Sequence, residues 1–259
     1  MKKQRLLLIL LFICVSPVVI AGPVNVMPSA TQAPESQWGF TLAPYGWLPG
    51  MTGSISIADR TADVDVSPGE VLSHLDAAFM MVTQVRYNRW AVTGDLVYAR
   101  LHDDIDPPNG ILFSSTHEVL KETIGTIDLS YRVVDSPKAF LSVYAGARIY
   151  DIYTQIVLRP RLAQGVNVST TETWVDPIIG IRGRYYVSRA VFLNLCGDIG
   201  GFGAGSEFSW QALGGVGVQV SRWCDLELGY RALGFDYEPG RTKQDLISHG
   251  VITGAVVHF

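Results

Sequence analysis

The stretch Glu118-Val119-Leu120-Lys121-Glu122-Thr123-Ile124-Gly125-Thr126-Ile127-Asp128-Leu129-Ser130-Tyr131-Arg132-Val133 decides the fold. Its odd positions include Val119, Ile127, Leu129, Tyr131 and Val133, whereas its even positions include Glu122, Thr126, Asp128, Ser130 and Arg132. A period of two puts the two sets on opposite faces of a strand, one oily and one charged. The same opposition recurs within Ala77–Asn88, with Phe79, Met81, Val85 and Tyr87 against Gln84 and Arg86. It recurs within Trp174–Val187, with Val175, Ile179, Ile181 and Tyr185 against Asp176, Arg182 and Arg184. Val191–Gly201 and Asp225–Tyr230 repeat it again.

Outward from these segments, Trp38–Leu48, Trp90–Leu101, Ala139–Val157, Phe208–Val220 and Ile247–Phe259 read as further strands, which makes ten. Eight remain open if weak strands merge. Twelve remain open if Thr52–Val66 forms a further pair of strands rather than a hairpin on the wall. Tight turns at Asn88-Arg89, Asp135-Ser136-Pro137, Ser188-Arg189 and Ser221-Arg222-Trp223 alternate with longer connections around 49–76, 102–117, 158–172 and 238–246, with 202–206 the short exception. Short turns at one end and long loops at the other are the arrangement of an antiparallel transmembrane β-barrel with its termini on the short-turn, periplasmic side.

The amino terminus agrees with that destination. Lys2, Lys3 and Arg5 precede the apolar run Leu6–Ala21, which is shorter than a spanning helix and interrupted by Pro17. This reads as a secretion signal over residues 1–21, followed by a Pro- and Ser-rich periplasmic lead-in over 22–37 and the barrel over 38–259. Phe12-Ile13 before Cys14 lacks the small residue of a lipoprotein signal. Loss of the leader takes the formal net charge from −4 to −7, and no basic stripe exists for nucleic acid. Cys196 and Cys224 fall on non-neighbouring strands and are expected to stay unpaired.

Trp38, Tyr87, Trp90, Tyr131, Tyr185, Trp223 and Phe259 gather near the periplasmic strand ends, and Tyr98, Trp174, Phe208 and Trp210 near the outer ends, as two interfacial girdles. A soluble periplasmic sandwich or lipocalin-like barrel also alternates, with its oily face turned inward. The leader, the girdles, the loop asymmetry and the final Phe259 favour the outer membrane. Phe259 closes a last amphipathic strand and resembles the signal read by the barrel assembly machinery.

The charged face supplies a lumen set: Arg86, Asp95, Glu122, Asp128, Arg132, Arg148, Asp176, Arg182, Arg184, Asp198, Glu227 and Arg231. Acids and bases balance, so these groups are expected to pair and fill a narrow barrel rather than line a selective pore. Ser67-Pro68-Gly69-Glu70 has the spacing of a capped helix running to about Leu75, lying on the rim or lodged in the mouth. His102, Ser114, His117 and Glu118, with Asp103, Asp104, Asp106 and Ser115, flank one outer loop and are weak candidates for hydrolytic or acyl-transfer chemistry. Gly200-Gly201-Phe202-Gly203-Ala204-Gly205 lacks the following helix a nucleotide loop requires, and reads as tight turning and room for large neighbours. His74, His249 and His258 are scattered; no metal or cofactor is expected.

Three blocks carry a resemblance: Pro44-Tyr45-Gly46-Trp47-Leu48-Pro49-Gly50-Met51-Thr52-Gly53, Asp176-Pro177-Ile178-Ile179-Gly180-Ile181-Arg182-Gly183-Arg184-Tyr185, and Gly197–Gly203 through Ser209-Trp210-Gln211-Ala212. With Glu227-Leu228-Gly229-Tyr230-Arg231, the chain resembles a family of largely uncharacterised proteobacterial outer-membrane β-barrel proteins. The resemblance implies the barrel and its location but no activity. The expected role is structural or narrowly passive, with a small-solute pore and an outer-leaflet lipid-modifying or hydrolytic enzyme as alternatives. Expected partners are outer-membrane lipids and, during biogenesis, periplasmic chaperones and the assembly machinery, with the barrel itself monomeric.

Overall fold

The computed structural model describes residues 37–57, 60–105, 113–160, 166–238, 240 and 242–259. The expected leader and most of the lead-in lie outside the described residues. Among the described residues eleven strands and one helix follow in order: β1 Trp38–Ile57, β2 Arg60–Val66, α1 Pro68–Ser73, β3 Leu75–Tyr87, β4 Trp90–Ile105, β5 Phe113–Asp135, β6 Ala139–Pro160, β7 Val166–Tyr186, β8 Val191–Gly201, β9 Phe208–Ser221, β10 Cys224–Tyr237 and β11 Thr242–His258.

Each strand from β3 to β11 pairs antiparallel with its successor, and β11 returns to β1, so the sheet closes. The first strand has two partners on one edge. Its lower half, Trp38–Pro44, pairs with β3, and its upper half, Met51–Ile57, pairs with β2. β2 is therefore the return arm of a hairpin standing on the wall, and the barrel has ten strands. The ambiguity over Thr52–Val66 resolves to that hairpin.

Register gives the dimensions. Register partners followed once around the wall, from Thr41 through Gln84, Thr93, Asp128, Gly146, Ile178, Gly200, Ser209, Phe235 and Leu246, return to β1 at Gly53, twelve residues further on. At about 3.3 Å per residue and about 4.8 Å between strands, ten strands with that stagger tilt by about 40° and close at a backbone radius of about 10 Å. Side chains filling that radius leave little room for solvent.

The faces are inverted relative to a soluble barrel. Phe40, Leu42, Val92, Leu96, Ile127, Leu129, Ile179, Ile181, Leu195, Leu226 and Leu228 are exposed on the outside, while Arg148 and Asp176 are fully buried inside. Trp38 and Tyr87 contact at the tight-turn end, as do Trp90 and Tyr131. Phe79 and Phe208 are exposed toward the loop end.

Two expectations need correction, and one open alternative is resolved. Trp174 belongs to the lumen and not to the outer girdle: it is 5% exposed and shares its parity with Asp176. The connections read at 102–117 and 158–172 are largely strand, because β4 to β7 run well past the girdle before turning. The 67–75 segment is a helix of six residues, none of them buried, so it lies on the rim and does not plug the mouth. Its cap is as read: Ser67 Oγ accepts from Glu70 N–H at 3.3 Å and Glu70 Oε2 accepts from Ser67 N–H at 2.7 Å. Those bonds hold the Glu70 carboxyl below its usual range.

Candidate functional site

The lumen is filled in layers, each built from inward positions on several strands. At the tight-turn end Arg184 on β7 donates to Asn194 Oδ1 at 2.9 Å, Asp225 Oδ2 at 2.9 Å and Glu227 Oε1 at 2.8 Å, with its guanidinium 3.7 Å from the centroid of Phe192. Phe192 is fully buried because Gly217 opposite it has no side chain; a Cβ there would lie 2.1 Å from the ring. His258 Nε2 lies 3.0 Å from Asp225 Oδ2.

The middle layer is one connected polar network. Arg182 donates to Asp128 Oδ2 and to Thr93 Oγ1, both at 2.9 Å, and stacks over Tyr144. Asp198 Oδ2 accepts from Arg148 Nη2 at 2.8 Å, Tyr144 O–H at 2.9 Å and Gln211 Nε2 at 3.3 Å. Arg231 Nη2 lies 3.1 Å from Asp95 Oδ2, and Arg231 donates to Gln211 Oε1 at 2.6 Å and to Tyr45 Oη at 2.9 Å. Tyr45 O–H in turn donates to Asp95 at 2.6 Å. Arg148–Asp198 is a wholly desolvated pair, with side chains 0% and 1% exposed.

Above this layer the filling is apolar and aromatic. Trp47, Met80, Val97, Ile124, Tyr150, Trp174, Leu233, Phe235 and Leu246 form one buried cluster. Trp174 stacks on Tyr150 at 4.7 Å and on Tyr237 at 4.0 Å, and Phe235 packs against Trp174 edge-on at 5.5 Å. Rings from β6, β7 and β10 thus meet across the barrel. The glycine-rich turn between β8 and β9 closes over them: Gly201 and Gly203 take φ of +83° and +73° and send Ser206 inward. Its N–H donates to Asp176 Oδ1 at 2.7 Å, and its Oγ accepts from Trp174 Nε1–H at 2.9 Å. Gln244 Nε2 on β11 donates to Glu172 Oε2 on β7 at 2.7 Å, a further cross-lumen tie.

The sequence-derived set is distributed unevenly. Arg148, Arg182, Arg184, Arg231, Asp95, Asp128, Asp198 and Glu227 enter ion pairs within the lumen. Asp176 is held by a backbone N–H and, among the described residues, not by a cation. Arg132 pairs at 3.2 Å with Asp135 on its own strand, Arg86 reaches only the Asn88 carbonyl at 3.5 Å, and no ion pair among the described residues joins Glu122. Sequence reasoning passed over Asp225, although it shares the parity of Glu227. It also passed over Tyr45, Tyr144 and Gln211, which bear no formal charge but carry the network.

At the rim, His102 Nδ1 lies 3.2 Å from Asp76 Oδ1, and Arg100 Nε lies 3.4 Å from Asp76 Oδ2. A carboxylate beside an imidazole is half of a general-base arrangement. The backbones of Ser114, His117 and Glu118 lie in β5, with His117 opposite Asp104 and Glu118 opposite Asp103. Their side chains fall outside the described residues. Cys196 and Cys224 are both free thiols, and Tyr144 Oη lies 3.3 Å from Cys196 Sγ.

No family model matches the chain, and no curated relative does either. Among solved structures, the chain is similar to Neisserial surface protein A at 14% identity, covering 86% of this chain and 98% of that one with a TM-score of 0.35. The translocator domain of the autotransporter NalP from Neisseria meningitidis aligns at 11% identity over 86% and 89%, with a TM-score of 0.41. Ail of Yersinia pestis, solved with the heparin analogue sucrose octasulfate, aligns at 10% over 86% and 98%, with a TM-score of 0.36.

Proposed function

We propose that this chain is an integral outer-membrane β-barrel with a closed lumen, structural in role, which presents its rim to the exterior and conducts no solute at rest. The observation that carries the closure is the middle of the lumen, where Arg148, Tyr150, Asp176, Ile178 and Leu233 are each 0 to 1% exposed. Water does not touch them; in the same layer Arg182 and Asp95 keep side chains 25% and 18% exposed, so the section at that level is narrow and largely filled. The outward apolar band, the aromatic contacts at its tight-turn end and the secretion leader support placement in the outer membrane. Buried ion pairs are weak stabilisers overall, since the Coulomb gain roughly repays desolvation. Their value here is that a charged side chain with a fixed partner holds one position and seals the section it occupies.

The test is conductance of the refolded protein in a planar bilayer. Silence from a preparation whose gel mobility changes on boiling is the expected result. Reproducible single-channel steps would overturn the closed-lumen reading in favour of a small-solute pore.

A further inference from the structure

Just past the loop-end girdle the outward face carries two cations in direct opposition. Arg100 and Lys121 are register partners on β4 and β5. Arg100 shares parity with exposed Trp90, Val92 and Leu96, and Lys121 with exposed Ile127 and Leu129. Like charges directly opposite on neighbouring strands repel. Each side chain leans away from the other, Arg100 toward Asp76 at 3.4 Å and Lys121 onto the ring of Tyr153 at 5.1 Å. The two cations share no partner among the described residues, and each reaches a different neighbouring strand, Arg100 to β3 and Lys121 to β6.

Depth identifies what lies outside the wall there. Arg100 is ten residues along β4 from Trp90, and Lys121 ten along β5 from Tyr131, the two rings in contact at the tight-turn end. With about 2.5 Å of axial rise per residue at a tilt of about 40°, ten residues span about 25 Å, the height of the apolar band of a membrane barrel. The pair sits one outward row above Phe79 and Tyr98, at the level of lipid headgroups. Nearby carboxylates are Asp76, shared with His102, and Asp151, which accepts from Thr173 Oγ1 at 2.7 Å. On β2, β1, β11 and β10 the corresponding region is acidic: Asp63, Ser54, Asp245 and Asp236 form one register row, and Lys243 is tied to Asp236 and Glu238.

On the membrane reading given above, we propose that Arg100 and Lys121 together hold a phosphate of an anionic outer-leaflet lipid headgroup. A phosphate between them turns a repulsive pair into two charge-assisted contacts, and the guanidinium offers it a fork of donors. The β4–β5 sector then carries bound lipid while the acidic sector does not.

Native mass spectrometry of the refolded full chain in micelles, titrated with bis-phosphorylated lipid A and with the same lipid after dephosphorylation, tests this. The phosphorylated lipid should bind preferentially. Arg100→Gln or Lys121→Gln should weaken it about fivefold and the double variant about thirtyfold. Lys121→Arg, and Arg222→Ala in a tight turn, should leave it unchanged. Equal binding of both lipids, or wild-type binding by a double variant that keeps its heat-dependent gel mobility, overturns the phosphate site alone. Displacement by millimolar inorganic phosphate overturns the lipid as its source. A chain that neither enters bilayers nor shows heat-dependent mobility overturns the membrane reading itself.

Discussion

Replacing Arg148 by methionine tests the lumen network at its most constrained point. Arg148 and Asp198 are both buried, and Asp198 Oδ2 collects three donors, of which only Arg148 is charged. Arg148→Met keeps most of the aliphatic volume but leaves a buried carboxylate with two neutral donors. Breaking one partner of such a pair costs about 3–5 kcal/mol, whereas replacing both with apolar groups of similar size is neutral to stabilising. Arg148→Met alone should therefore lower the folded-to-unfolded ratio at least a hundredfold, and Arg148→Met with Asp198→Leu should recover most of that loss. Urea titration in phospholipid vesicles, followed by tryptophan fluorescence, gives both values as a double-mutant cycle. A single variant within about 1 kcal/mol of wild type, or a double variant as unstable as the sum of the singles, would refute the view that this pair is coupled and dry.

The glycine turn and the rim helix give two further predictions. At Gly205 an added Cβ would lie 2.6 Å from Asp176 Oδ1 and from the Val175 carbonyl, so Gly205→Ala should displace the Ser206 latch and cost about 1–3 kcal/mol by the same titration; a neutral effect would mean the turn is not docked. For α1, the Glu70 carboxyl is depressed by its bonds to Ser67, so its contribution is present above the unfolded carboxylate pKa and lost as pH falls through the lower folded value. Amide protection factors in residues 69–73 should fall in that acid range and stay flat in Glu70→Ala, while equal acid sensitivity in both chains would assign the effect to another group.

The wall was legible in the sequence because a strand writes its two faces at a fixed period, and the tight turns at Asn88 and Ser188 punctuate it. The choice of partners inside was not. Arg148 stands directly opposite Asp176 in register, yet its guanidinium goes to Asp198 on β8. That choice depends on reach across the lumen, which no local pattern encodes. Trp174 was misassigned by residue type although its parity with Asp176 already placed it inside. The aromatic layer followed the same rule, since a barrel of about 10 Å radius needs bulk that charged side chains alone do not supply. The Arg100–Lys121 opposition was hidden for another reason: β4 runs on to Ile105 and β5 starts at Phe113, past the strand ends read from the sequence, so neither residue reveals its neighbour.

The seam between β1 and β11 governs how this molecule is made. Thr41 meets His258, and the Phe40 and Phe259 main chains exchange hydrogen bonds, across more than two hundred intervening residues. Bringing such distant segments together from a free chain carries an entropic cost of roughly 5 kcal/mol before any contact rewards it. Until then the first strand presents an unpaired edge, ready to accept the wrong neighbour. Closure is thus the pairing with the largest loop to close, and an escort that shields the first strand until the final one arrives would speed folding without adding anything to the stability of the finished cylinder.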